Sequence, residues 1–167
     1  MTPDNQQRIA KATEELKEAF SDKVQVKFKK LHPDAKAPIR ATDGAAGWDL
    51  SAYGSGKLVY PEYMATPIKY HTGIAVEIPP GYVGLVFPRS SVYKTGMFLS
   101  NCVGVIDSDY RGEICFIYNN FLPGAKYGKG DRIGQLVIVP CPSVEMVEVE
   151  ELSETERGSG GFGSTGK

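Results

Sequence analysis

The chain is built largely of short apolar runs separated by turn residues, and this pattern restricts the fold more than any other feature. Turn chemistry such as Pro79-Pro80-Gly81 and Lys129-Gly130-Asp131 stands between the runs. Strands this short at this spacing predict an all-β sandwich, barrel or jelly roll. A half-buried strand is expected at 24–29, where apolar and polar residues alternate, and further strands at 74–78, 82–87, 114–118, 133–139 and 144–149.

The two ends of the chain differ from this β region. From Asp4 to Phe20 apolar residues recur at helical spacing, which predicts an extra N-terminal amphipathic α-helix. It is interpreted as a surface helix that packs against the protein through one apolar stripe. The alternative is an arm that binds a partner. The Gly-rich C-terminus lacks any apolar period and is expected to be a flexible arm. We therefore divide the chain into a helical extension at 1–22, a β domain at 23–152 and an arm at 153–167.

Composition excludes several classes of protein. A chain of 167 residues fits one domain, and its net charge of −1 without a dense basic run argues against binding to long nucleic acid. No apolar stretch approaches the roughly 18 residues of a membrane helix, so no membrane association is expected and a soluble, cytoplasmic protein is predicted. Cys102, Cys115 and Cys141 are expected to be reduced thiols. A zinc site is not expected, because His32 and His71 show no ligand-like spacing to them.

The C-terminal arm carries the groups that phosphate binding requires. Glycines let backbone N–H groups turn toward an anion, Arg157 offers a bidentate fork, Ser164 and Thr165 add hydroxyls, and Phe162 can stack on a base. The alternative is a tail without function. A P-loop is rejected, although 161–167 matches its spacing formally, since the sequence has no Ser or Thr after Lys167 and no following helix.

Two segments in the β region place chemistry at strand ends. Arg89 with Ser90 and Ser91 follows an apolar strand and can clamp phosphate oxygens, although for this segment taken alone a surface loop is the better interpretation. Asp107 and Tyr110 lie three residues apart between glycines. A carboxylate there can accept a proton from water and a ring can support a sugar, whereas the alternative for Asp107 is a turn cap.

Two further polar residues stand in apolar or small-residue surroundings. Asp49 follows the small-residue turn at 45–48, and Gln135 lies inside an apolar strand. A buried glutamine needs a hydrogen-bond partner. For Gln135 a structural hydrogen bond and a ligand contact are equally good interpretations.

In order, these five segments resemble the five motifs of the trimeric dUTPases, and the resemblance spans about residues 24–167. The segments at 104–112 and 157–166 are similar to the third and fifth motifs nearly letter for letter. The resemblance implies a jelly-roll-like β domain of the dUTPase type that forms a homotrimer with three active sites, each built from all three chains. It implies hydrolysis of dUTP to dUMP and pyrophosphate, which keeps uracil out of DNA and supplies dUMP for thymidylate synthesis.

The resemblance also implies a role for each matching residue. Asp107 would be the general base that deprotonates the attacking water and contacts the sugar 3′-hydroxyl, and Tyr110 would lie under the deoxyribose and exclude a 2′-hydroxyl. Uracil would be read within a hairpin at 101–115, largely by backbone groups. The residues implied there are Asn101, Val105, Ile106 and Cys115.

The phosphates and the metal are assigned in the same way. Arg89, Ser90 and Ser91 would hold the α and β phosphates with help from Gln135, while Asp49 would support Mg²⁺ through a water molecule. The ion itself would be carried mainly by the triphosphate. The arm would grip the γ-phosphate and stack on uracil through Arg157, Phe162, Gly163, Ser164 and Thr165.

Some positions depart from the family pattern and keep two alternatives open. Ser91 stands where the family commonly has Gly, and Trp48 where it commonly has Tyr or Phe. Arg-Ser-Ser is reminiscent of the related dCTP deaminases, but the position of their catalytic Glu is held here by Ile117, and Glu113 does not align with it. The other alternative is a nucleotide-binding or interaction module that has kept the fold without the chemistry.

Overall fold

The computed structural model describes residues 5–9, 11, 13, 23–58, 67–120 and 126–161. The described residues between 5 and 13 are helical, and the hydroxyl of Thr13 donates a hydrogen bond to the carbonyl of Ile9 over 2.8 Å. The N-terminal part of the predicted helix is therefore present, while its continuation at 14–20 lies outside the described residues. No helix in the described ranges is long and apolar enough to cross a membrane.

Nine strands and one short 3-10 helix form the body of the described chain. The strands are β1 (Lys27–Lys30), β2 (Trp48–Ser51), β3 (Gly54–Lys57), β4 (Ile68–Glu77), β5 (Tyr82–Pro88), β6 (Met97–Leu99), β7 (Gly104–Ile106), β8 (Glu113–Asn120) and β9 (Arg132–Pro140), and the 3-10 helix spans Ser90–Thr95. The predicted strands at 74–78, 82–87, 114–118 and 133–139 are confirmed within β4, β5, β8 and β9.

The strands form two antiparallel sheets. The first has the order β1-β4-β8-β6 with β3 also pairing with β4, and the second has the order β2-β9-β5-β7. Most neighbours in a sheet are distant in sequence, which is the jelly-roll-like all-β arrangement that was predicted. The expected hairpin at 101–115 is wrong in one respect: β7 and β8 belong to different sheets, so this segment connects the two sheets.

The core lies between the sheets and follows from the alternation of inward and outward side chains. On β8, Ile114, Phe116 and Tyr118 point inward and have no solvent exposure. The Phe116 ring packs directly on the backbone of Gly134, where a β-carbon would lie 2.0 Å from the ring. The Tyr118 hydroxyl donates to the carbonyl of Ile133 over 2.7 Å, which satisfies its polar atom inside the core.

Two predicted strands differ from the structure. The expected half-buried strand at 24–29 is an exposed strand that begins at Lys27, because β1 pairs with β4 on one side only. The expected strand at 144–149 is wrong for this chain, since 141–149 forms no strand. A strand exists only through a hydrogen-bonded partner. The apolar side chains of Val144, Met146 and Val147 in this segment are 72%, 91% and 69% exposed.

Candidate active site

Three of the predicted segments meet on neighbouring strands of the second sheet. Asp49 on β2 is paired with Gln135 on β9, and Gln135 is paired in turn with Phe87 on β5. Since Arg89 follows directly after β5, it lies at the same end of the sheet as the other two. Strand register, which the sequence alone did not specify, brings the first, second and fourth segments together.

A buried carboxylate holds two arginines in this part of the sheet. Asp49 Oδ1 accepts a hydrogen bond from Arg89 Nε at 3.2 Å, and Asp49 Oδ2 accepts one from Arg132 Nη1 at 2.9 Å. The Asp49 side chain is 11% exposed, whereas the arginines are 29% and 40% exposed. Two cations against one anion leave a net positive charge, and both guanidinium groups keep donors free to reach an anion from solvent. We call these three residues the arginine–aspartate cluster.

Gln135 lies beside this cluster and packs against Gly47, which has no side chain. Its amide nitrogen donates to the carbonyl of Pro88 at 3.4 Å, so a structural hydrogen bond accounts for one of its donors. A β-carbon at Gly47 would approach Gln135 Oε1 to 2.6 Å. The glycine before Trp48 therefore leaves the space that the glutamine amide occupies.

The second-segment serines begin the 3-10 helix that follows Arg89. Arg89 is its N-terminal flanking residue in extended conformation, and the helix ends at Gly96, whose φ of 67° lies in the left-handed region that glycine adopts readily. Ser90 is exposed and Ser91 is half-buried. Both hydroxyls are thus close in sequence to the arginine–aspartate cluster, on a short element that starts at the end of β5.

The segment with Asp107 and Tyr110 is a compact turn held by its own contacts. The amide of Tyr110 donates to the carbonyl of Asp107 at 3.1 Å, and the Tyr110 hydroxyl donates to the carbonyl of Glu113 at 3.1 Å. The Tyr110 ring folds over Gly112, where a β-carbon would lie 2.3 Å from the hydroxyl oxygen. Asp107 is exposed, and its carboxylate accepts no hydrogen bond from any residue that the structure describes.

The four residues implied in uracil recognition lie on both sides of this turn. Val105 on β7 is 62% exposed and points away from the core, whereas Ile106 packs partly against it. Asn101 is exposed before β7, and Cys115 is half-buried on β8. β7, which carries Val105 and Ile106, and β8, which carries Cys115, belong to separate sheets.

The Asp107 turn and the arginine–aspartate cluster lie far apart in one chain. Since β7 runs antiparallel to β5 with Gly84 opposite Ile106, Asp107 follows at the level of Val83, whereas Arg89 lies beyond the other end of β5. Six residues of extended strand correspond to about 20 Å. The arm adds only Arg157 to the described part, and its Nε donates to the carbonyl of Gly160 at 2.9 Å. Phe162, Gly163, Ser164 and Thr165 lie outside the described residues.

Two groups of residues were missed by sequence reasoning. Arg132, at the start of β9, lies in the fourth segment three residues before Gln135, but nothing in that segment marks it as a partner of Asp49. His71, Glu113 and Cys115 form a second polar cluster across β4 and β8, with His71 Nδ1 2.8 Å from Glu113 Oε2 and 3.7 Å from Cys115 Sγ. The i,i+2 spacing of Glu113 and Cys115 on one strand face was a usable signal.

In this second cluster the pKa of the Cys115 thiol is raised and the pKa of the Glu113 carboxyl is lowered. Burial, together with the charge of Glu113, raises the pKa of the Cys115 thiol to about 12. For Glu113, burial alone would raise the pKa, but hydrogen bonds from His71 and from the amide of Gly73 outweigh it and hold the pKa below its usual value. The carboxylate is therefore the charged member of the pair.

Comparison with known proteins places the chain among nucleotide hydrolases. A model of the dUTPase family matches residues 33–166. The deoxyuridine 5′-triphosphate nucleotidohydrolase of Hydrogenobaculum sp. (strain Y04AAS1) is 46% identical over 140 residues, which are 83% of this chain and 95% of that protein. The enzyme of the same name from Escherichia phage T5 is 43% identical over 146 residues, 84% of this chain and 98% of that protein.

Solved structures show the same relationship. A mutant dUTPase of Staphylococcus bacteriophage 80alpha with bound dUpNHpp is 31% identical, has a TM-score of 0.68, and covers 86% of this chain and 99% of its own. A mutant dUTPase from phage phi11 of S. aureus is 25% identical with a TM-score of 0.60, covers 76% of this chain and 97% of its own, and coordinates a structural Mg(II) ion. The family model spans most of this sequence and the relatives are covered almost completely, so the chain belongs to the dUTPase family.

Proposed function

We propose that the chain hydrolyses dUTP to dUMP and pyrophosphate. The observation that carries this proposal is the arginine–aspartate cluster, in which separate segments of a dUTPase-family chain converge on one net positive, half-exposed site beside Gln135. Such a site suits the phosphates of a nucleotide. Because Asp49 holds both guanidinium groups before any ligand arrives, their donors are preorganised, which is the main contribution proteins make to phosphoryl transfer.

Asp107 is proposed as the general base. Water attacks the α-phosphorus, its proton passes to the Asp107 carboxylate, and the bond to the pyrophosphate leaving group breaks. The exposed carboxylate suits this role, since no described residue donates a hydrogen bond to it. A positioned base typically contributes about 10²–10⁴ in rate. Tyr110, whose ring is fixed over Gly112, is proposed to support the deoxyribose.

The distance between Asp107 and Arg89 supports active sites shared between subunits. Both residues are assigned to the α-phosphate region of one substrate, yet about 20 Å of strand separates them in a single chain. Two groups that act on the same phosphorus must lie within a few ångströms of it. Asp107 of one subunit and Arg89 of another subunit therefore belong to the same active site. Such sites fit a closed homotrimer with three equivalent sites.

The exposed segment after β9 supports the same assembly. Val144, Met146, Val147 and Val149 are exposed and interspersed with glutamates in a segment that pairs with no described strand. Among the described strands, β1 pairs with β4 alone, and exposed Phe28 and Trp48 line a largely apolar cavity of about 380 Å³ next to it. Exposed strand edges and apolar surface of this kind are usually covered by another chain. We propose that the segment is covered by a neighbouring subunit.

Mg²⁺ is proposed as the cofactor, bound mainly through the triphosphate. Both carboxylate oxygens of Asp49 already accept a hydrogen bond from an arginine, so their remaining lone pairs suit a metal-bound water better than a direct bond. This fits the outer-shell role assigned to Asp49. When bound, the ion would offset phosphate charge and polarise the reacting phosphoryl group.

The remaining assignments are proposed from the matching motifs. Ser90 and Ser91 would hold phosphate oxygens with Gln135, and the region of Asn101, Val105, Ile106 and Cys115 would receive uracil. The arm would close over the nucleotide and stack Phe162 on uracil. Its contacts with the γ-phosphate would come from Arg157, Gly163, Ser164 and Thr165.

Pyrophosphate release from purified protein with Mg²⁺ tests the function. We expect rapid release from dUTP and little from dCTP, dTTP or UTP, because the matching motifs imply a uracil pocket without room for the thymine methyl and a Tyr110 that excludes a 2′-hydroxyl. Absence of pyrophosphate from dUTP would reject the proposal. Ammonia released from dCTP would instead favour a deaminase, for which the position of the catalytic Glu is occupied here by Ile117.

A further inference from the structure

A second cluster of metal-ligating side chains lies on the outer face of the first sheet. His71 and Cys115 are cross-strand partners on β4 and β8, and Glu113 lies two residues before Cys115. Their neighbours Thr72 and Ile114 are fully buried. Because side chains alternate along a strand, the three ligand residues point away from the core together.

The distances within this His71–Glu113–Cys115 cluster suit one small cation. All three ligand atoms lie within 4.8 Å of one another. A tetrahedral zinc ion with ligand bonds of 2.0–2.3 Å keeps its ligand atoms about 3.3–3.7 Å apart. The His71 Nδ1 to Cys115 Sγ distance of 3.7 Å already fits, and Glu113 Oε2 at 2.8 Å from His71 Nδ1 has to move away by only about 0.5 Å.

The surroundings of the cluster support a ligand role for Glu113. Its other oxygen, Oε1, accepts a hydrogen bond from the amide of Gly73 at 2.7 Å, which orients the carboxylate from behind. The side chains of His71 and Glu113 are 38% and 24% exposed, so an ion can reach them from solvent. A thiol, an imidazole and a carboxylate together select zinc-class ions over Mg²⁺, which prefers oxygen ligands only.

We propose that His71, Glu113 and Cys115 bind one divalent transition-metal ion of the zinc class, at a site separate from the nucleotide-bound Mg²⁺. Three protein ligands leave a fourth position for water. The ion would tie β4 to the start of β8, to which the Asp107 turn is attached through the hydrogen bond from Tyr110 to the carbonyl of Glu113. This inference does not depend on the proposed dUTP hydrolysis.

Cobalt binding to the chelator-treated full-length protein tests the site, because a thiolate bound to Co²⁺ gives a charge-transfer absorption that free Co²⁺ lacks. We expect this absorption to saturate at one ion per chain and to disappear when Zn²⁺ is added. Cys115→Ser should abolish it, and His71→Gln should weaken Zn²⁺ affinity more than about 10-fold. The matched control is Cys102→Ser, which removes an exposed thiol that is not a member of the cluster and should bind as the parent does.

Two outcomes would overturn the site. The first is the absence of thiolate absorption with Co²⁺ in the parent protein. The second is absorption that survives in both Cys115→Ser and His71→Gln but is lost in Cys102→Ser. Circular dichroism of each variant ensures that loss of binding is measured on folded protein, and His71→Gln provides a second ligand variant if Cys115→Ser does not fold.

Discussion

Asp107 carries the proposed proton transfer, yet the structure shows it as an ordinary exposed residue at a turn. Asp107→Asn keeps the shape of the side chain but removes the base. We expect turnover of dUTP to fall by about 10²–10⁴ while folding and binding of dUpNHpp remain. Asp109→Asn is the matched control, since Asp109 is an exposed carboxylate of the same turn. Equal turnover in the Asp107 variant and the parent would mean that the residue only shapes the turn.

Gly47 offers a residue-scale test of the phosphate side. In Gly47→Ala the new β-carbon would lie 2.6 Å from Gln135 Oε1, so the amide of Gln135 must move. We expect KM for dUTP to rise about 10-fold with little change in the melting temperature, because one displaced hydrogen-bonding group costs about 1 kcal/mol or more. Gly44→Ala is the control, as nothing lies within 4 Å of its β-carbon position. Identical KM values for the two variants would contradict the assigned role of Gln135.

Asp49 shows what the sequence reveals about a single residue and what it does not. Sequence reasoning marked it as an important carboxylate through the small-residue turn before it. Its partners Arg89 and Arg132 could not be named, because they lie 40 and 83 residues away and meet it only through the pairing of β2 with β9 and β9 with β5. The residue type was predictable, whereas its immediate contacts were not.

At the scale of elements, the segment at 144–149 tests the assembly. Replacing Val144, Met146, Val147 and Val149 by Ser would change stability little if these side chains stayed in solvent, since exposed substitutions typically lie within about 0.5 kcal/mol. If a neighbouring subunit covers them, we expect the trimer to dissociate in analytical ultracentrifugation. The control replaces Glu145, Glu148 and Glu150 by Gln. A stable trimer in the Ser variant would mean that the segment lies outside the interface.

The arm is the second element with a test of its own. Truncation before Arg157 removes the proposed grip on the γ-phosphate and the stacking Phe162. We expect turnover to be nearly abolished while circular dichroism and oligomer size remain those of the parent, because the described arm residues 157–161 form hydrogen bonds only with other arm residues. A truncated protein with normal turnover would show that the arm does not close the site.

Element prediction succeeded where apolar runs were long and failed where pairing decided the outcome. The apolar runs of β4, β5, β8 and β9 are recognisable in the sequence because these strands are seven to ten residues long and place several side chains in the core. The short strands β2, β3, β6 and β7 have three or four residues each and little local signal. The segment at 144–149 has a strong strand pattern but no partner strand among the residues that the structure describes.

At the scale of the whole molecule, shared sites predict complementation between inactive variants. Arg89→Ala and Asp107→Asn each disable every site of a homotrimer. If the two residues of one site come from different chains, random mixed trimers from equal amounts contain both intact residues in about one quarter of their sites. We therefore expect co-refolded mixtures to recover about a quarter of the parent activity.

The control for this experiment is each variant refolded alone, which should stay inactive. No recovery in a mixture that forms mixed trimers would place both residues of a site on one chain. That result would conflict with the separation of about 20 Å between Asp107 and Arg89 in one chain, which follows from the pairing of β5 with β7.

The sequence by itself determined the strand-rich fold class, the family and the identity of the residues with chemical potential, because apolar alternation and motif residues are local properties of the chain. Only the tertiary structure decided which of those residues meet. Strand pairing and register join Asp49 to Arg89 and Arg132, bring His71 next to Glu113 and Cys115, and keep Asp107 away from Arg89. The physical reason is that register is set by long-range packing of two sheets, to which each residue contributes only a small part.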